Sequence, residues 1–317
     1  MAQRNACRAV FDSGSMRTSF PADRCNVSER SYCSELAIDQ PMWGTAEEVD
    51  VWLLLEYKPS WNAKAVTDNT LDDASKKWLE QTITTVMAKG LKIRVQFMRQ
   101  PDIDGDTTCL MVAFDDRLWA YRGVGYEFLQ EVDVGAALDE PGQVDLVAEP
   151  QYFVCTNGQR DLCCARFGLP AYERLRERVG SRVWQTSHLG GHRFAPNVLA
   201  LPQGVLYGRV IPEEVDSFIA EVDGGGLSFS HLRGRSRYPQ LVQAAEAIAA
   251  QPLLKLLHVD ELQRMGDEVS HASVTFASPN ETVTVSVQMS VEPVDVLTSC
   301  SADELKPVYS FQKGQAN

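Results

Sequence analysis

The sequence predicts an α/β protein made of two units of β-α-β-β-β-α order, the first of them degenerate, and a small C-terminal α+β region. Two observations support this. An apolar run over residues 49–57 is followed by a helical pattern and three more strand-like segments. After a linker-like stretch, the same order starts again at residue 151. The expected domains are therefore 1–145, 146–236 and 237–317.

The first unit begins with a polar arm, residues 1–45, that leads into the strand at 49–57. Thr70 has the pattern of a helix N-cap, and apolar residues then recur at helical spacing until Gly90 ends the segment. Further strands are expected at 92–98, 109–114 and 118–121, and a short helix at 126–132. Residues 133–149 are acidic and contain glycine and proline, which is typical of a linker.

The second unit starts with a strand at 151–156. Pro170 and Gly180 predict a helix over 170–179, because proline is favoured at the first helical position and glycine just past the last. The remaining expected elements of this unit are a strand at 182–186, a hairpin of 197–201 and 205–210, and a helix at 212–222. The C-terminal region is expected to hold a helix at 241–251 and strands at 273–277 and 282–289.

The overall composition limits the possible functions. Of the 317 residues, 44% are hydrophobic and 23% are charged, which is typical of soluble globular proteins. The first 20 residues lack the apolar stretch of a secretory signal, so we expect a cytoplasmic location. The net charge of -13 and the lack of a long basic run argue against a nucleic-acid partner, and no run is apolar enough to predict a membrane partner.

Cysteine and histidine are the residues most suggestive of chemistry. The eight cysteines are Cys7, Cys25, Cys33, Cys109, Cys155, Cys163, Cys164 and Cys300. In a long chain without an export signal, cysteines indicate metal binding or redox chemistry rather than a disulfide framework. The three nearest the N-terminus are irregularly spaced with no histidine nearby, and we expect them to be ordinary thiols.

Two segments of the second unit are expected to meet in space. Cys155 lies at the end of one predicted strand, and a polar loop leads from it to Cys163 and Cys164. The next predicted strand is followed by His188-Leu-Gly-Gly-His192, in which the glycine pair allows a tight turn. Open α/β sheets place ligands at the carboxyl ends of their strands. Two thiolates and two imidazoles suit iron, but a Cys2His2 set also suits zinc, and the residues alone leave both open.

The strings VCTNGQRDLCC and HLGGHRFAPNVLALPQGVLYGRV resemble the sucrase/ferredoxin-like family, as do Gly44-Thr45-Ala46 and Leu54-Leu55-Glu56. The resemblance implies a thioredoxin-like ferredoxin domain with a [2Fe-2S] cluster as cofactor. The Cys-x8-Cys and His-x3-His motif of the family falls on Cys155, Cys164, His188 and His192. Cys163 is the alternative ligand, because it adjoins Cys164.

The resulting hypothesis is an electron-transfer or redox-responsive protein, a carrier rather than an enzyme with its own substrate, that works with a redox partner protein whose identity is unknown. The alternatives are a thiol-dependent oxidoreductase of thioredoxin-like fold and a zinc-stabilised interaction module. Replacing two thiolates by imidazoles predicts a reduction potential above the roughly -400 mV of plant-type ferredoxins. The basic segment 231–237, behind the ligand-bearing domain, could contact a redox partner or be a solvated linker, and we expect the linker.

Overall fold

The structure is a computed structural model that describes residues 32–101, 105–140, 145–251, 254–266 and 268–314. Most of the expected N-terminal arm, including Cys7 and Cys25, lies outside the described residues. The α-helices are α1 (Cys33–Leu36), α2 (Asp73–Ala88), α3 (Val134–Asp139), α4 (Leu162–Val179), α5 (Val215–Asp223) and α6 (Gln240–Ala249). The strands are β1 (Val51–Glu56), β2 (Ile93–Arg99), β3 (Thr107–Phe114), β4 (Arg117–Val124), β5 (Asp145–Leu146), β6 (Gln151–Cys155), β7 (Val183–Thr186), β8 (Val198–Leu201), β9 (Val205–Tyr207), β10 (Leu232–Arg235), β11 (Lys255–Met265), β12 (Glu268–Ala277), β13 (Thr282–Met289), β14 (Val294–Val296), β15 (Lys306–Val308) and β16 (Phe311–Lys313).

Within the described residues, ten strands form one mixed sheet in the order β10-β9-β8-β6-β7-β2-β1-β3-β4-β5. Strands β1–β4 and β6–β9 have the same pairing pattern. In each set the first strand is parallel to the second and antiparallel to the third, and the third is antiparallel to the fourth. Strands β2 and β7 run antiparallel and join the two sets.

The fold is therefore mixed α/β around one large sheet, as the sequence predicts at this coarse level. The finer interpretation, with two thioredoxin-like units and domain boundaries at 145 and 236, stays a prediction. The repeated pairing pattern is compatible with it. The expected hairpin of the second unit is present as β8 and β9.

Strand β1 lies in the middle of the first set, and all six of its residues are buried. A nearly continuous apolar run is what a strand covered on both faces requires. Helix α2 packs on one face through Trp78, Leu79 and Val86. It begins later than the sequence suggested, because the side chain of Asp72 rather than Thr70 caps it by accepting from the Ser75 N–H at 2.9 Å.

Helix α4 begins at Leu162, eight residues before the start expected at Pro170. The Asp161 side chain accepts a hydrogen bond from the Cys163 N–H at 2.9 Å and so caps the new start. Pro170 lies inside the helix, where its missing N–H removes one helical hydrogen bond. The end was predicted well, since Gly180 follows the last helical residue with a φ of 60°. Cys163 and Cys164 consequently lie in the first turn of an 18-residue helix.

The basic segment 231–237 is not a solvated linker. Its centre forms β10, an edge strand of the large sheet whose four residues are all buried. Arg235 pairs with Glu246 of α6 at 2.8 Å, and the side chain of Glu246 is fully buried. The sequence pattern was misleading because a charged residue looks the same in a sequence whether it is solvated or forms a buried ion pair.

The expected linker, residues 133–149, contains α3 and β5, and β5 extends the large sheet beside β4. At the other end of the chain, α6 packs on a four-stranded antiparallel sheet of order β11-β12-β13-β16, and β14 pairs with β15 in a separate ribbon. These elements form the small C-terminal α+β region.

Among the described residues, no helix is both long and apolar enough to cross a membrane.

Candidate metal centre

The site forms where two neighbouring parallel strands end. Strand β6 ends at Cys155 and pairs with β7, which ends at Thr186. The loop after β6 leads into α4, and the loop after β7 contains the two histidines. The two segments therefore leave the sheet at the same edge, as the sequence predicted.

Three of the four predicted ligands lie together at this edge. The Sγ atoms of Cys155 and Cys164 and a ring nitrogen of His188 are all within 4.8 Å of one another. His188 Nδ1 is 3.8 Å from the Cys155 sulfur and 3.7 Å from the Cys164 sulfur. Both cysteine side chains are buried, whereas His188 is partly exposed.

His192, the fourth predicted ligand, lies on the same loop beside His188, but its ring nitrogens are not among the donor atoms within 4.8 Å of one another. Its ring stacks on His188 with centroids 4.9 Å apart and an interplanar angle of 29°. Its Nδ1 is buried and has no hydrogen-bond partner among the described residues. Its Nε2 faces a carboxylate oxygen of Asp161 at 3.7 Å. Burial lowers the pKa of His192, although Asp161 opposes the shift, so the ring is neutral at neutral pH, as a metal ligand must be.

The conformation of the histidine loop depends on its glycine pair. Gly190 and Gly191 have φ angles of 85° and 66°, which L-residues with a Cβ rarely adopt. A Cβ on Gly191 would also lie 2.5 Å from the guanidinium of Arg233. The glycines between the two histidines thus have the role inferred from the sequence.

Two arginine side chains donate hydrogen bonds to the backbone of the histidine loop. Arg233 donates to the carbonyl of Gly190 at 3.0 Å, to Asn197 Oδ1 at 2.8 Å and to the Thr45 carbonyl at 2.6 Å. Arg94 of β2 donates to the His188 carbonyl at 2.9 Å. The sequence did not indicate this role for either arginine, because both lie outside the Cys-His motif and only the fold brings them to the histidine loop.

The same arginines place positive charge beside the site, and Glu47 forms an ion pair with Arg94. Burial lowers the pKa of Arg233 to about 9 and that of Arg94 to about 10, so both remain charged at neutral pH. Between the cysteines, the hydrogen bond from the Cys164 thiol holds the pKa of Cys155 well below its usual range, and that of Cys164 is raised.

Cys163, the alternative ligand, lies in a different group. Its Sγ is 3.5 Å from that of Cys33 and 3.2 Å from that of Cys300. Consecutive residues of a helix point about 100° apart, so Cys163 and Cys164 point in different directions from the start of α4. The residues Cys33, Asp161, Cys163 and Cys300 form a second cluster of potential ligands. No sequence signal linked Cys33 to Cys300, which is 267 residues away.

Known proteins resemble parts of this chain. Residues 42–234 match the sequence model of a family described as sucrase/ferredoxin-like. Curated relatives include the altered inheritance of mitochondria protein 32 of Clavispora lusitaniae, 37% identical over 92 residues that cover 26% of this chain and 34% of the relative. The protein of the same name from Debaryomyces hansenii is 33% identical over 92 residues with the same coverage. The chain thus spans about a third of the length of these relatives.

Solved structures similar to part of the chain come from Aquifex aeolicus. One is a thioredoxin-like [2Fe-2S] ferredoxin, 21% identical, with a TM-score of 0.26 over 29% of this chain and 97% of that one. Another is a cysteine-to-serine variant of such a ferredoxin, 22% identical, with a TM-score of 0.24 over 26% and 96% of the two chains.

Proposed function

The chain belongs to the sucrase/ferredoxin-like family, and on that premise we propose that it is a [2Fe-2S] protein with an electron-transfer or redox-responsive role. The proposed cluster ligands are Cys155, Cys164, His188 and His192. We propose that it acts as an electron carrier for a redox partner protein and has no substrate of its own. The cytoplasmic location expected from the sequence is part of the same proposal.

The observation that carries this proposal is the donor set of the buried pocket. Two thiols and a ring nitrogen lie within 4.8 Å of one another, and the fourth ring adds a buried Nδ1 that has no partner among the described residues. A buried polar atom without a partner is costly unless a ligand satisfies it. The residues present therefore fit a metal group that takes two sulfur and two nitrogen ligands.

The donor set also determines the expected redox behaviour. Two ferric ions, two sulfides, two thiolates and two neutral imidazoles sum to zero charge, whereas four thiolates would leave two negative charges. When bound, such a cluster accepts an electron more readily than a plant-type ferredoxin, at a potential nearer the roughly -150 to +300 mV of Rieske centres. The positive charges of Arg94 and Arg233 favour the reduced state further.

The exposure of the four side chains indicates where a partner would dock. The two cysteines are buried, while His188 and His192 are partly exposed. The imidazole edge is therefore the part of the site nearest to solvent. We propose that electrons enter and leave through this edge, and that the partner covers the histidine loop.

The first test measures iron in a cysteine variant. We expect anaerobically purified protein to be coloured and to contain about two irons and two acid-labile sulfides per chain. Cys155→Ser should lose most of both, because it removes one of only two thiolates. Cys109→Ser is the matched control, since Cys109 is also buried in a strand but lies outside both groups of potential ligands. The measurements are iron and sulfide content and the EPR spectrum after reduction.

Three results would contradict the proposal or part of it. A colourless protein with zinc bound by these four residues would favour the zinc-stabilised module. A catalytic thiol activity that is independent of iron would favour the oxidoreductase. Equal iron content in Cys155→Ser and Cys109→Ser would exclude Cys155 as a ligand.

A further inference from the structure

Three thiols meet on the far side of the start of α4, outside the proposed iron-sulfur site. The Sγ–Sγ distances are 3.5 Å for Cys33–Cys163, 3.2 Å for Cys163–Cys300 and 3.6 Å for Cys300–Cys33. All three cysteines are free, so no disulfide accounts for their proximity. They come from α1, from α4 and from the loop between β14 and β15. We call this group the three-thiol site.

A buried carboxylate completes the group. The side chain of Asp161 has no exposed surface, and its Oδ1 lies 4.0 Å from the Cys33 sulfur. Its Oδ2 accepts from the Cys300 N–H at 2.9 Å and from Ser299 Oγ at 3.1 Å. Its Oδ1 also accepts from the Cys163 N–H at 2.9 Å, and among the described residues no Lys or Arg pairs with the carboxylate.

We propose that Cys33, Cys163 and Cys300, with Asp161 as the fourth ligand, bind one Zn²⁺. In a tetrahedral site with Zn–S bonds of about 2.3 Å, the sulfurs lie about 3.8 Å apart. The three observed sulfur separations are only slightly shorter, so the thiols already occupy three corners of such a tetrahedron. The Asp161 oxygen is available as the fourth corner.

The donor set favours zinc over other metals that bind thiolates. A [2Fe-2S] cluster takes cysteine or histidine ligands, whereas the fourth donor of this group is the carboxylate of Asp161. Soft thiolates suit zinc and Cu(I), whereas the harder carboxylate oxygen favours zinc. The surroundings also favour thiolates. Ser34 Oγ donates to the Cys163 sulfur at 3.3 Å, and Cys163 lies at the positive end of α4.

Asp161 lies between the two proposed sites and contacts both. Asp161 presents Oδ1 to the three-thiol site, and its Oδ2 faces His192 Nε2 at 3.7 Å. Carboxylates that orient a metal-bound histidine are a common feature of metal sites. The zinc would fasten α1 and the Cys300 loop to the start of α4.

The test determines zinc and iron separately, in purified protein passed through a chelator column. Metal analysis of the full chain should give about one zinc per chain in the unaltered protein and in Cys109→Ser. Cys33→Ser and Cys300→Ser should each lose more than half of the zinc and keep their iron. Cys155→Ser should lose iron and keep zinc, so failure of this proposal is distinguishable from failure of the proposed function.

X-ray absorption at the zinc edge gives a second readout that needs no variant. It should show three sulfurs at about 2.3 Å and one oxygen at about 2.0–2.2 Å. The proposal is overturned by unaltered protein without zinc, by a zinc spectrum with fewer than three sulfurs, or by loss of the zinc in Cys155→Ser. A disulfide between any two of the three cysteines, seen as a loss of two hydrogens by mass spectrometry, would overturn it as well.

Discussion

Arg233 shows how a single side chain can organise a binding loop. It is 2% exposed, and its guanidinium binds acceptors on three separate segments, at Thr45, Gly190 and Asn197. The planar fork of arginine makes such multiple bonds possible, whereas the single ammonium of lysine could not reach all of these acceptors. The position of both histidines therefore depends on a residue 41 positions further along the chain than His192.

The two histidines proposed as ligands give a residue-scale prediction. His188→Cys should retain the iron-sulfur cluster, because thiolate is also a good ligand for iron. The added negative charge should lower the reduction potential toward the roughly -400 mV of plant-type ferredoxins. Loss of one ionisable ring should also weaken the dependence of the potential on pH. Protein-film voltammetry across a pH range measures both effects.

The control for this experiment is His271→Cys, since His271 bonds to Ser286 at 3.0 Å in the C-terminal sheet, far along the chain from the site. We expect its potential to equal that of the unaltered protein. An unchanged potential in both His188→Cys and His192→Cys would rule out ligation by the histidines.

At the scale of elements, the start of α4 supplies side chains to two different groups of donors. Cys163 and Cys164 are adjacent in sequence, yet one contacts Cys33 and Cys300 and the other contacts Cys155 and His188. This separation follows from the helix, whose consecutive side chains diverge by about 100°. An extended loop at the same place would not fix the two directions.

The paired serine variants of these cysteines test the separation. Cys164→Ser should lose most of its iron and keep its zinc, while Cys163→Ser should keep its iron and lose most of its zinc. Both variants remove one buried thiol from the same helical turn, so each is the control for the other. Metal analysis of both proteins is the measurement, and a loss of iron in Cys163→Ser alone would reverse the assignment.

The sequence predicted some elements well and others poorly, for physical reasons. The apolar run of β1 and the glycine pair of the histidine loop are local signals, and both were interpreted correctly. The start of α4 was predicted wrongly because Pro170 is a common first helical residue, and it outweighed the capping carboxylate of Asp161. The strand β10 was missed because its arginines are neutralised or bonded only by distant segments. The three-thiol site was missed because only tertiary structure joins its cysteines.

For the molecule as a whole, the proposed iron-sulfur site lies at the junction of the two sets of strands. Strands β2 and β7 share only two residue pairs, Met98 with Thr186 and Arg99 with Gln185. Side chains of β2 add to this junction, since Arg94 and Gln96 both donate to the His188 carbonyl. The first set of strands therefore supports the histidine loop of the second.

The large sheet and the C-terminal region are joined by a buried ion pair, and this gives a prediction about global stability. Glu246→Ala should leave the Arg235 cation buried without its carboxylate and cost about 3–5 kcal/mol of unfolding free energy. The control is Glu261→Ala, whose partner Arg264 is about half exposed, and we expect a cost of about 0–1 kcal/mol there. Urea denaturation followed by circular dichroism measures both values. Equal costs would show that the buried pair does not contribute to joining these regions.

The short connection between β6 and α4, residues 156–161, ends at the helix cap and has an unusual constraint on its length. Surface loops normally tolerate insertions and deletions. Here a change of one residue that shifted the first turn of α4 would rotate both cysteines by about 100° and misdirect two sets of donors at once. Related chains that keep both sets of donor residues should therefore keep this connection at constant length, whatever the changes in its polar side chains.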